Sequence, residues 1–318
     1  AGATFWYHVL MTEPIITEGA VRGVVIESKA GREAVLASVV VDCTGDGDVA
    51  ARAGVPYELG RLSDGLMQPM TLMFEIEGLG GYEQGATEET YDQLAQAIAA
   101  HDLGVQLPIG RVNYAPAIIT MPRPGSAMVQ ATHVYRLNGL NPREVTEGIA
   151  TARRQAHDLV TALRHVPGLE QVRLIRTAPT LGLRETRRLC GRYRLTLDDL
   201  AAGRRFPDAV TCCAFGVDIH EPAPGAGVPS GHGAPMRAYE IPYRCLLPEN
   251  VRGLLFAGRC ISGSHEAHAS YRVTGVCMAM GQAAGLAAAW AAREGETPGD
   301  LPGEELRGLL QERGVGYL

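Results

Sequence analysis

An acidic, glycine-rich turn follows an apolar run near the start of the chain, in VVVDCTGDGDVAARAG at 39–54. In open α/β sheets, ligands lie at the carboxyl ends of strands, where unpaired backbone N–H groups and the dipole of the next helix favour oxygen-rich groups. A helix beginning at Val49 could use Asp46 or Asp48 as its cap, which accounts for one acid but not for the two glycines of the turn. We therefore predict that this turn faces a ligand.

A second strand-to-turn junction lies at 253–289, in GLLFAGRCISGSHEAHASYRVTGVCMAMGQAAGLAAA. Residues 253–258 have the composition of a short buried strand, and the polar loop after them leads to a helix at 272–293 that is rich in Ala, Met and Gly. A core helix after an ordinary turn would have the same composition, so the junction alone leaves both interpretations open. Three glycines are expected to bring this helix close to its neighbours: Gly275, Gly281 and Gly285.

A run of arginines occurs in RETRRLCGRYR at 184–194. Such a run is usually a solvated basic face. Pro179 and Gly182, just before it, suit a turn that enters a site, so an anion-binding role stays open beside the solvated face. In that role Glu185 pairs with one arginine and holds another for the ligand. The arginines are Arg184, Arg187, Arg188, Arg192 and Arg194.

The histidines offer proton transfer rather than metal binding. The sequence HEAH at 265–268 lacks the i, i+4 spacing of H-E-x-x-H and is predicted to lie in a loop, so we predict no metal site. Because a histidine side chain ordinarily titrates near neutrality, His265 and His220 could transfer protons. A hydrogen-bonded structural role explains either of them equally well.

The seven cysteines show neither a disulfide framework nor a C-x-x-C pair, which indicates reduced thiols. Cys212 and Cys213 are interpreted as small buried residues rather than a redox pair, because adjacent disulfides are strained. No G-x-S-x-G turn follows a strand, which argues against a nucleophilic hydrolase.

Composition limits the partners. The 318 residues are 46% hydrophobic, enough for a sizeable core, and the formal net charge of -6 provides no basic field for nucleic acid. No uninterrupted apolar run is as long as a membrane span. We expect a cytoplasmic protein that binds a small molecule, without nucleic acid or membrane.

The elements that must position these residues follow from periodicity and turn signals. Antiparallel strands are predicted at 4–11, 21–28 and 34–42, with turns at Glu18-Gly19 and Lys29-Ala30-Gly31. Further along we predict strands at 70–77 and 127–136 and helices at 87–101, 142–165 and 197–206.

The two ends of the chain read as parts of one α/β domain, formed by 1–55 and 236–318. The middle, 56–221, is predicted to be an inserted α+β domain. A loop at 222–235, rich in Pro and Gly, separates them.

Five segments in this order resemble the FAD-dependent oxidoreductase family related to the flavin subunits of heterodisulfide reductases, which are two-dinucleotide-binding flavoproteins. They are the turn at 39–54, PTLGLRETRRLCGRYRLTLDDL at 179–200, FGVDIHEP at 215–222, IPYRCLLPENVRGLLFAGRCISGSHEA at 241–267 and the helix at 272–289. The resemblance covers nearly the whole chain. It implies an α/β fold in which a partial FAD-binding Rossmann-like domain carries an inserted substrate or cap domain.

The resemblance also implies the cofactor, FAD, and the residues that contact it. In this family Arg259 replaces the acid that many other flavoproteins place after Ala-Gly, and its charge would contact the pyrophosphate. Arg272 would lie near flavin N1 and C2=O, although a cation there opposes the helix dipole. The predicted cofactor-binding residues are Thr44, Gly45, Asp46, Gly258, Arg259, Ser262, Arg272 and Val273.

The implied activity is transfer of a hydride or electrons between a small substrate and flavin N5, at a site between the two domains. An electron-transfer partner protein is a second candidate partner. The family matches the arginine run at Gly182, Arg184, Glu185, Arg187 and Arg188. The predicted catalytic residues are His265, Arg184, His220 and Arg272.

One feature departs from the family: no G-x-G-x-x-G turn after a strand is found. We therefore expect this chain to be a fragment of a longer protein, with weakened FAD affinity. The alternative function is that of a non-catalytic remnant or interaction module without bound flavin. Relatives with iron–sulfur clusters exist, but the scattered cysteines do not support one here.

Overall fold

The structure is a computed structural model that describes residues 2–80, 88–103, 117–223 and 236–315. The strands are β1 (Leu10–Thr17), β2 (Ala20–Ser28), β3 (Gly31–Leu36), β4 (Val40–Asp42), β5 (Tyr57–Leu59), β6 (Phe74–Glu77), β7 (Ala117–Thr120), β8 (Ser126–Gln130), β9 (Arg173–Thr177), β10 (Arg187–Leu189), β11 (Ala209–Cys213), β12 (Tyr239–Pro242) and β13 (Leu254–Phe256). The helices are α1 (Asp48–Arg52), α2 (Glu88–Ala100), α3 (Pro142–Leu163), α4 (Leu197–Ala202), α5 (His265–Tyr271), α6 (Thr274–Glu294) and α7 (Gly303–Glu312).

The chain divides into two compact units. The first contains the described residues of Ala1–Leu62, Arg187–Asp218 and Gly231–Leu318. The second contains those of Ser63–Thr186 and Ile219–Ser230. The mixture of helices and strands agrees with the predicted fold class at this coarse level, and the roles of the two units as cofactor and substrate domains stay predictions.

The first unit begins with the antiparallel sheet β1-β2-β3. The predicted strand at 4–11 is misplaced along the chain, because β1 runs from Leu10, which pairs with Glu27, to Thr17. The predicted strand at 34–42 is two strands, since β3 ends at Leu36 and β4 joins a different sheet. In that sheet β4 pairs in parallel with β13, which connects the two ends of the chain.

Two other strand pairs complete this unit, β5 with β10 and β11 with β12, both antiparallel. Residues 57–59 and 187–213 therefore belong to the first unit. The predicted inserted domain, 56–221, included both segments. The predicted loop at 222–235 lies outside the described residues from position 224 onward.

Helix α6 is buried along one face only, through residues spaced three or four apart. The expected close approach at its three glycines is wrong for the described residues, because a Cβ on Gly275, Gly281 or Gly285 would meet no atom within 4 Å. Within the described residues α6 alone has the length and apolar composition of a membrane span, which core helices of soluble proteins share. Its buried residues are Met280, Ala283, Ala284, Ala287 and Ala291.

The second unit contains an antiparallel sheet in the order β7-β8-β6-β9, which packs with α2 and α3 around a hydrophobic core. Helix α3 starts as predicted, with Asn141 accepting a hydrogen bond from Arg143 N (3.1 Å). Strands β6 and β8 are shorter than predicted. The reason is the side chain of Thr132. Its hydroxyl accepts a hydrogen bond from Leu72 N (2.8 Å) and donates one to Leu72 O (3.0 Å), and these bonds take the place of backbone pairing between the two strands at Leu72.

Candidate cofactor site

Strands β4 and β13 end side by side. Their register places Phe256 opposite Asp42, and Ala257 N donates a hydrogen bond to Asp42 O (3.1 Å). Because parallel strands present their carboxyl ends at the same edge of a sheet, the turn after β4 and the turn after β13 start next to each other. The two predicted junctions, more than two hundred residues apart in sequence, therefore form one site.

Asp42, which the sequence interpretation did not assign, builds the first turn. Its side chain is fully buried. One carboxylate oxygen, Oδ1, accepts hydrogen bonds from Thr44 N (3.0 Å) and Thr44 Oγ1 (2.8 Å), and Oδ2 accepts one from Ala50 N (2.9 Å) in α1. An acid that directly ends an apolar strand was the available signal, since an acid is rarely buried without such partners.

Neither acid of the turn caps helix α1, so the predicted capping role is wrong. The helix begins at Asp48 behind Gly47, which has φ 66° and no capping side chain. Instead Thr44 Oγ1 accepts from Asp48 N (2.9 Å). Asp46 forms an ion pair with Arg259 (2.7 Å), and Asp48 forms one with Arg187 (2.8 Å).

A cleft of about 390 Å³ opens where the two turns meet the start of α6. This volume lies within the usual range for ligand pockets. The predicted residues Thr44, Asp46, Ser262 and Val273 are not among those lining it, whereas Gly45, Gly258, Arg259 and Arg272 are. Residues that the sequence interpretation missed line the rest of it: Cys43, Ala257, Thr274, Cys277 and Met278.

The two glycines have different functions in the cleft. Gly45 has φ 82°, and a Cβ there would lie 2.7 Å from Nη1 of Arg259, so the guanidinium packs directly on the glycine backbone. Gly258 has φ 97°, and a Cβ there would meet nothing within 4 Å. Gly45 thus leaves room for the guanidinium of Arg259, and Gly258 leaves the backbone beside the cleft uncovered by a side chain.

The cation beside the α6 N-terminus is neutralised by an acid. Helix α6 starts at Thr274 behind Val273, which provides no capping side chain. Arg272, two residues before the helix, donates from Nη2 to the backbone oxygen of Asp218 (2.8 Å) and to its Oδ2 (3.3 Å). Asp218 thereby offsets the opposition between this cation and the helix dipole.

His265 and His268 lie in helix α5 rather than in the predicted loop. Ser264 caps this helix, accepting a hydrogen bond from Ala267 N (3.2 Å). Both histidines are buried. The pKa of His268 is well below its ordinary value, mainly because of burial and secondly because of the charge of Arg272. Among the described residues, no three His, Cys, Asp or Glu side chains are grouped as metal ligands.

The arginine run has two parts. Arg192 and Arg194 are exposed, as a solvated face requires, but Arg188 is buried. Its guanidinium donates to Gly263 O (3.1 Å) and Gly60 O (2.7 Å), which ties the loop after β13 to the end of β5. The interpretation as a solvated face is therefore wrong for Arg188, whose role is to fix backbone.

The second unit brings two other predicted residues to a common neighbour. Arg184 is largely buried and donates from Nη1 to Pro69 O (2.8 Å) and Thr71 Oγ1 (2.5 Å). His220 Nδ1 lies 3.1 Å from Nε2 of His133. Burial, Arg184 and His220 together lower the pKa of His133 to about 3, so these groups act on one buried imidazole.

All seven cysteines are free thiols, including Cys212 and Cys213. In the cleft, burial and the charge of Asp42 raise the pKa of Cys43. Burial also raises the pKa of Cys277. The cleft therefore holds two protonated thiols at neutral pH.

Comparison with known proteins identifies the family. The family model described as FAD dependent oxidoreductase matches residues 1–310. A solved structure of a geranylgeranyl bacteriochlorophyll reductase-like protein from Thermoplasma acidophilum is 12% identical, with a TM-score of 0.40; the match covers 96% of this chain and 54% of that one. The chain thus spans about half the length of that protein. No curated protein matches the present chain. Because the family model covers nearly all of the sequence, the chain belongs to the FAD dependent oxidoreductase family, whose cofactor is FAD.

Proposed function

We propose that the chain is the catalytic part of an oxidoreductase that binds FAD in the cleft at the ends of β4 and β13. The observation that carries this proposal is the convergence of a glycine turn, the two arginines Arg259 and Arg272 and the N-terminus of α6 on one cleft. When bound, FAD would accept a hydride or electrons from a small substrate at N5. The proposal includes the finer fold, a partial Rossmann-like cofactor domain with an inserted substrate domain.

The donors of the cleft fit the anionic groups of FAD. Within the described part of the chain, Nε of Arg259 is buried and has no hydrogen-bond partner. Arg259 and the backbone of the Gly45 turn would hold the pyrophosphate. Arg272 and the first N–H groups of α6 would face the electron-rich pyrimidine edge of the flavin.

The proposed catalytic residues are His265, Arg184, His220 and Arg272. The histidines would move protons, and the arginines would orient an anionic substrate or the flavin. Proposed partners are the small substrate and an electron-transfer protein, and the proposed location is the cytoplasm. Replacing His265 or Arg184 with Ala is expected to slow flavin reduction or reoxidation, and unchanged kinetics in both variants would remove them from the mechanism.

The first experiment is an absorption spectrum of the purified chain, followed by titration with FAD monitored by flavin fluorescence. Arg259→Ala is expected to weaken FAD binding by about tenfold to a hundredfold, since hydrogen bonds to charged groups contribute about 1.5–3 kcal/mol. Arg153→Ala, which changes an exposed arginine of α3, is the control and should bind FAD like the unaltered chain. A protein that stays colourless and binds no added FAD rejects the proposal and favours the non-catalytic alternative.

A further inference from the structure

A second cavity lies in the first unit, apart from the cofactor cleft. Its volume is about 420 Å³, which is within the usual range for ligand pockets and similar to that of the cleft. Its walls come from the loop after β10, the residues just before β11, the turn after β12 and the segment that leads into α7. Among the described residues the cavity and the cleft share no lining residue, and the proposed function gives the cavity no role.

Hydrogen bonds to the turn before α7 fix one wall of this cavity. Tyr243 donates its hydroxyl to Pro298 O (2.8 Å), and Arg192 donates from Nη1 to Gly299 O (2.5 Å). The guanidinium of Arg192 packs directly on Gly299, because a Cβ there would overlap its Nη2 and Cζ atoms. The backbone N–H of Arg192 donates to Leu247 O (2.9 Å). The cation is therefore held at the cavity before any ligand binds.

The other charges of the cavity leave Arg192 without an acidic partner. Arg244 is paired with Asp208 and donates to its carboxylate from Nε (2.9 Å) and Nη2 (3.2 Å). Burial raises the pKa of the Tyr243 hydroxyl, so this group stays neutral at physiological pH. Within the described residues, the guanidinium of Arg192 bonds to Gly299 O and forms no ion pair, which leaves its other N–H groups for a ligand.

The rest of the lining indicates the class of ligand. Leu247 and Leu301 are buried apolar side chains, and the ring of Tyr243 adds a third apolar surface. Apolar walls with one placed cation suit a hydrophobic body that carries a single carboxylate, whose two oxygens match the fork of N–H groups on a guanidinium. Glu304, which also lines the cavity, is exposed in the first turn of α7 and would weaken the binding of any anion.

We propose that this cavity binds a small carboxylate with an apolar body. The carboxylate accepts hydrogen bonds from Arg192, and the body packs on Leu247, Leu301 and the ring of Tyr243. Because the cavity is separate from the cofactor cleft, its ligand and FAD bind at the same time. The inference does not depend on FAD binding.

The test uses benzoate as the probe, titrated into the full chain at low salt and followed by the NMR line width of its ring protons. We expect saturable binding, with benzyl alcohol, the neutral analogue, binding about tenfold more weakly or worse. Saturating FAD should leave benzoate bound. The proposal fails if benzoate shows no saturable binding, if benzyl alcohol binds equally well, or if FAD or an equal concentration of inorganic phosphate displaces benzoate.

Three variants identify the cation. Arg192→Gln should weaken benzoate binding by about tenfold to a hundredfold, because it removes hydrogen bonds to a charged group. The control Arg205→Gln removes the same charge from an exposed arginine that does not line the cavity, and it should bind benzoate like the unaltered chain. Glu304→Gln removes the opposing charge at an exposed position and should tighten binding by about twofold.

Equal benzoate affinities of Arg192→Gln and Arg205→Gln would overturn the proposal. If Arg192→Gln does not fold by circular dichroism, the unaltered chain and Glu304→Gln decide the question. Unchanged or weaker binding in Glu304→Gln would then reject an anion site in this cavity. FAD titration of the same samples tests the proposed function separately.

Discussion

Asp42 is the residue on which the first turn of the cleft depends, and replacing it with Ala should destabilise the fold. The change leaves two backbone donors without their acceptor: Ala50 N, which is buried, at about 1–3 kcal/mol, and Thr44 N, which belongs to an exposed residue and can bond to water, at less. The Thr44 hydroxyl can rotate to another acceptor and is not counted. Releasing a buried charge recovers part of this energy. We therefore expect a loss of about 2 kcal/mol from an ordinary stability of about 5–15 kcal/mol.

The assay is urea unfolding followed by circular dichroism, with FAD titration under conditions in which the variant stays folded. Asp42→Asn retains one acceptor oxygen but turns an amide toward a donor, so it should lose about half as much. Asp198→Ala, an exposed acid in the first turn of α4, is the control and should change stability by less than about 1 kcal/mol. An Asp42→Ala chain as stable as this control would refute the reasoning.

Three further predictions concern the glycines, a histidine and a thiol. Gly45→Ala should weaken FAD binding and lower the free energy of unfolding. Gly54 has φ 89° and open space around it, so the control Gly54→Ala should lower the free energy of unfolding by only about 1–2 kcal/mol and leave FAD affinity unchanged. Folding lowers the pKa of His133 from 6.5 to about 3, so the unfolded chain takes up the proton first and stability falls as pH drops below 6.5. Between pH 7 and 5 this amounts to about 2 kcal/mol, which His133→Gln should abolish in urea unfolding. Because its pKa is raised, Cys43 should react slowly with iodoacetamide at pH 7, speed up by about tenfold per pH unit, and be shielded by added FAD.

Each of these three predictions would be refuted by a specific result. Equal FAD affinities of the two glycine variants would show that the Gly45 turn does not contact the cofactor. A pH dependence shared by His133→Gln and the unaltered chain would assign the acid sensitivity to other groups. Alkylation of Cys43 at the same rate with and without FAD would place the cofactor outside the cleft.

Local patterns predicted the elements that are defined by short-range signals. Asn141-Pro142 is a helix-start signal, and α3 starts at Pro142 as predicted; the helix predicted at 197–206 ends earlier, at Ala202, because Gly203, with φ 61°, stops it. The two strand-to-turn junctions were found for the same reason, since an apolar run before a glycine turn is visible in the sequence. The predicted loop at His265 is wrong, although Ser264 before helix-forming residues is a local capping signal for α5.

Long-range contacts determined what could not be predicted. Cys277 and Thr274 line the cleft only because β13 pairs with β4 in one register, and no local pattern specifies that register. His133 had no signal at all, since a single histidine near a strand has meaning only once His220 is beside it. The acids of the turn were misassigned as caps because their arginine partners are distant in sequence.

The pairing of β4 with β13 also has a kinetic consequence. The ion pair between Asp46 and Arg259 joins residues 213 positions apart, so forming the cleft closes a long loop of the chain. Contacts of such high sequence separation form slowly and late in folding. A ligand that needs both turns binds only the finished native state, so FAD should lower the unfolding rate and leave the refolding rate almost unchanged.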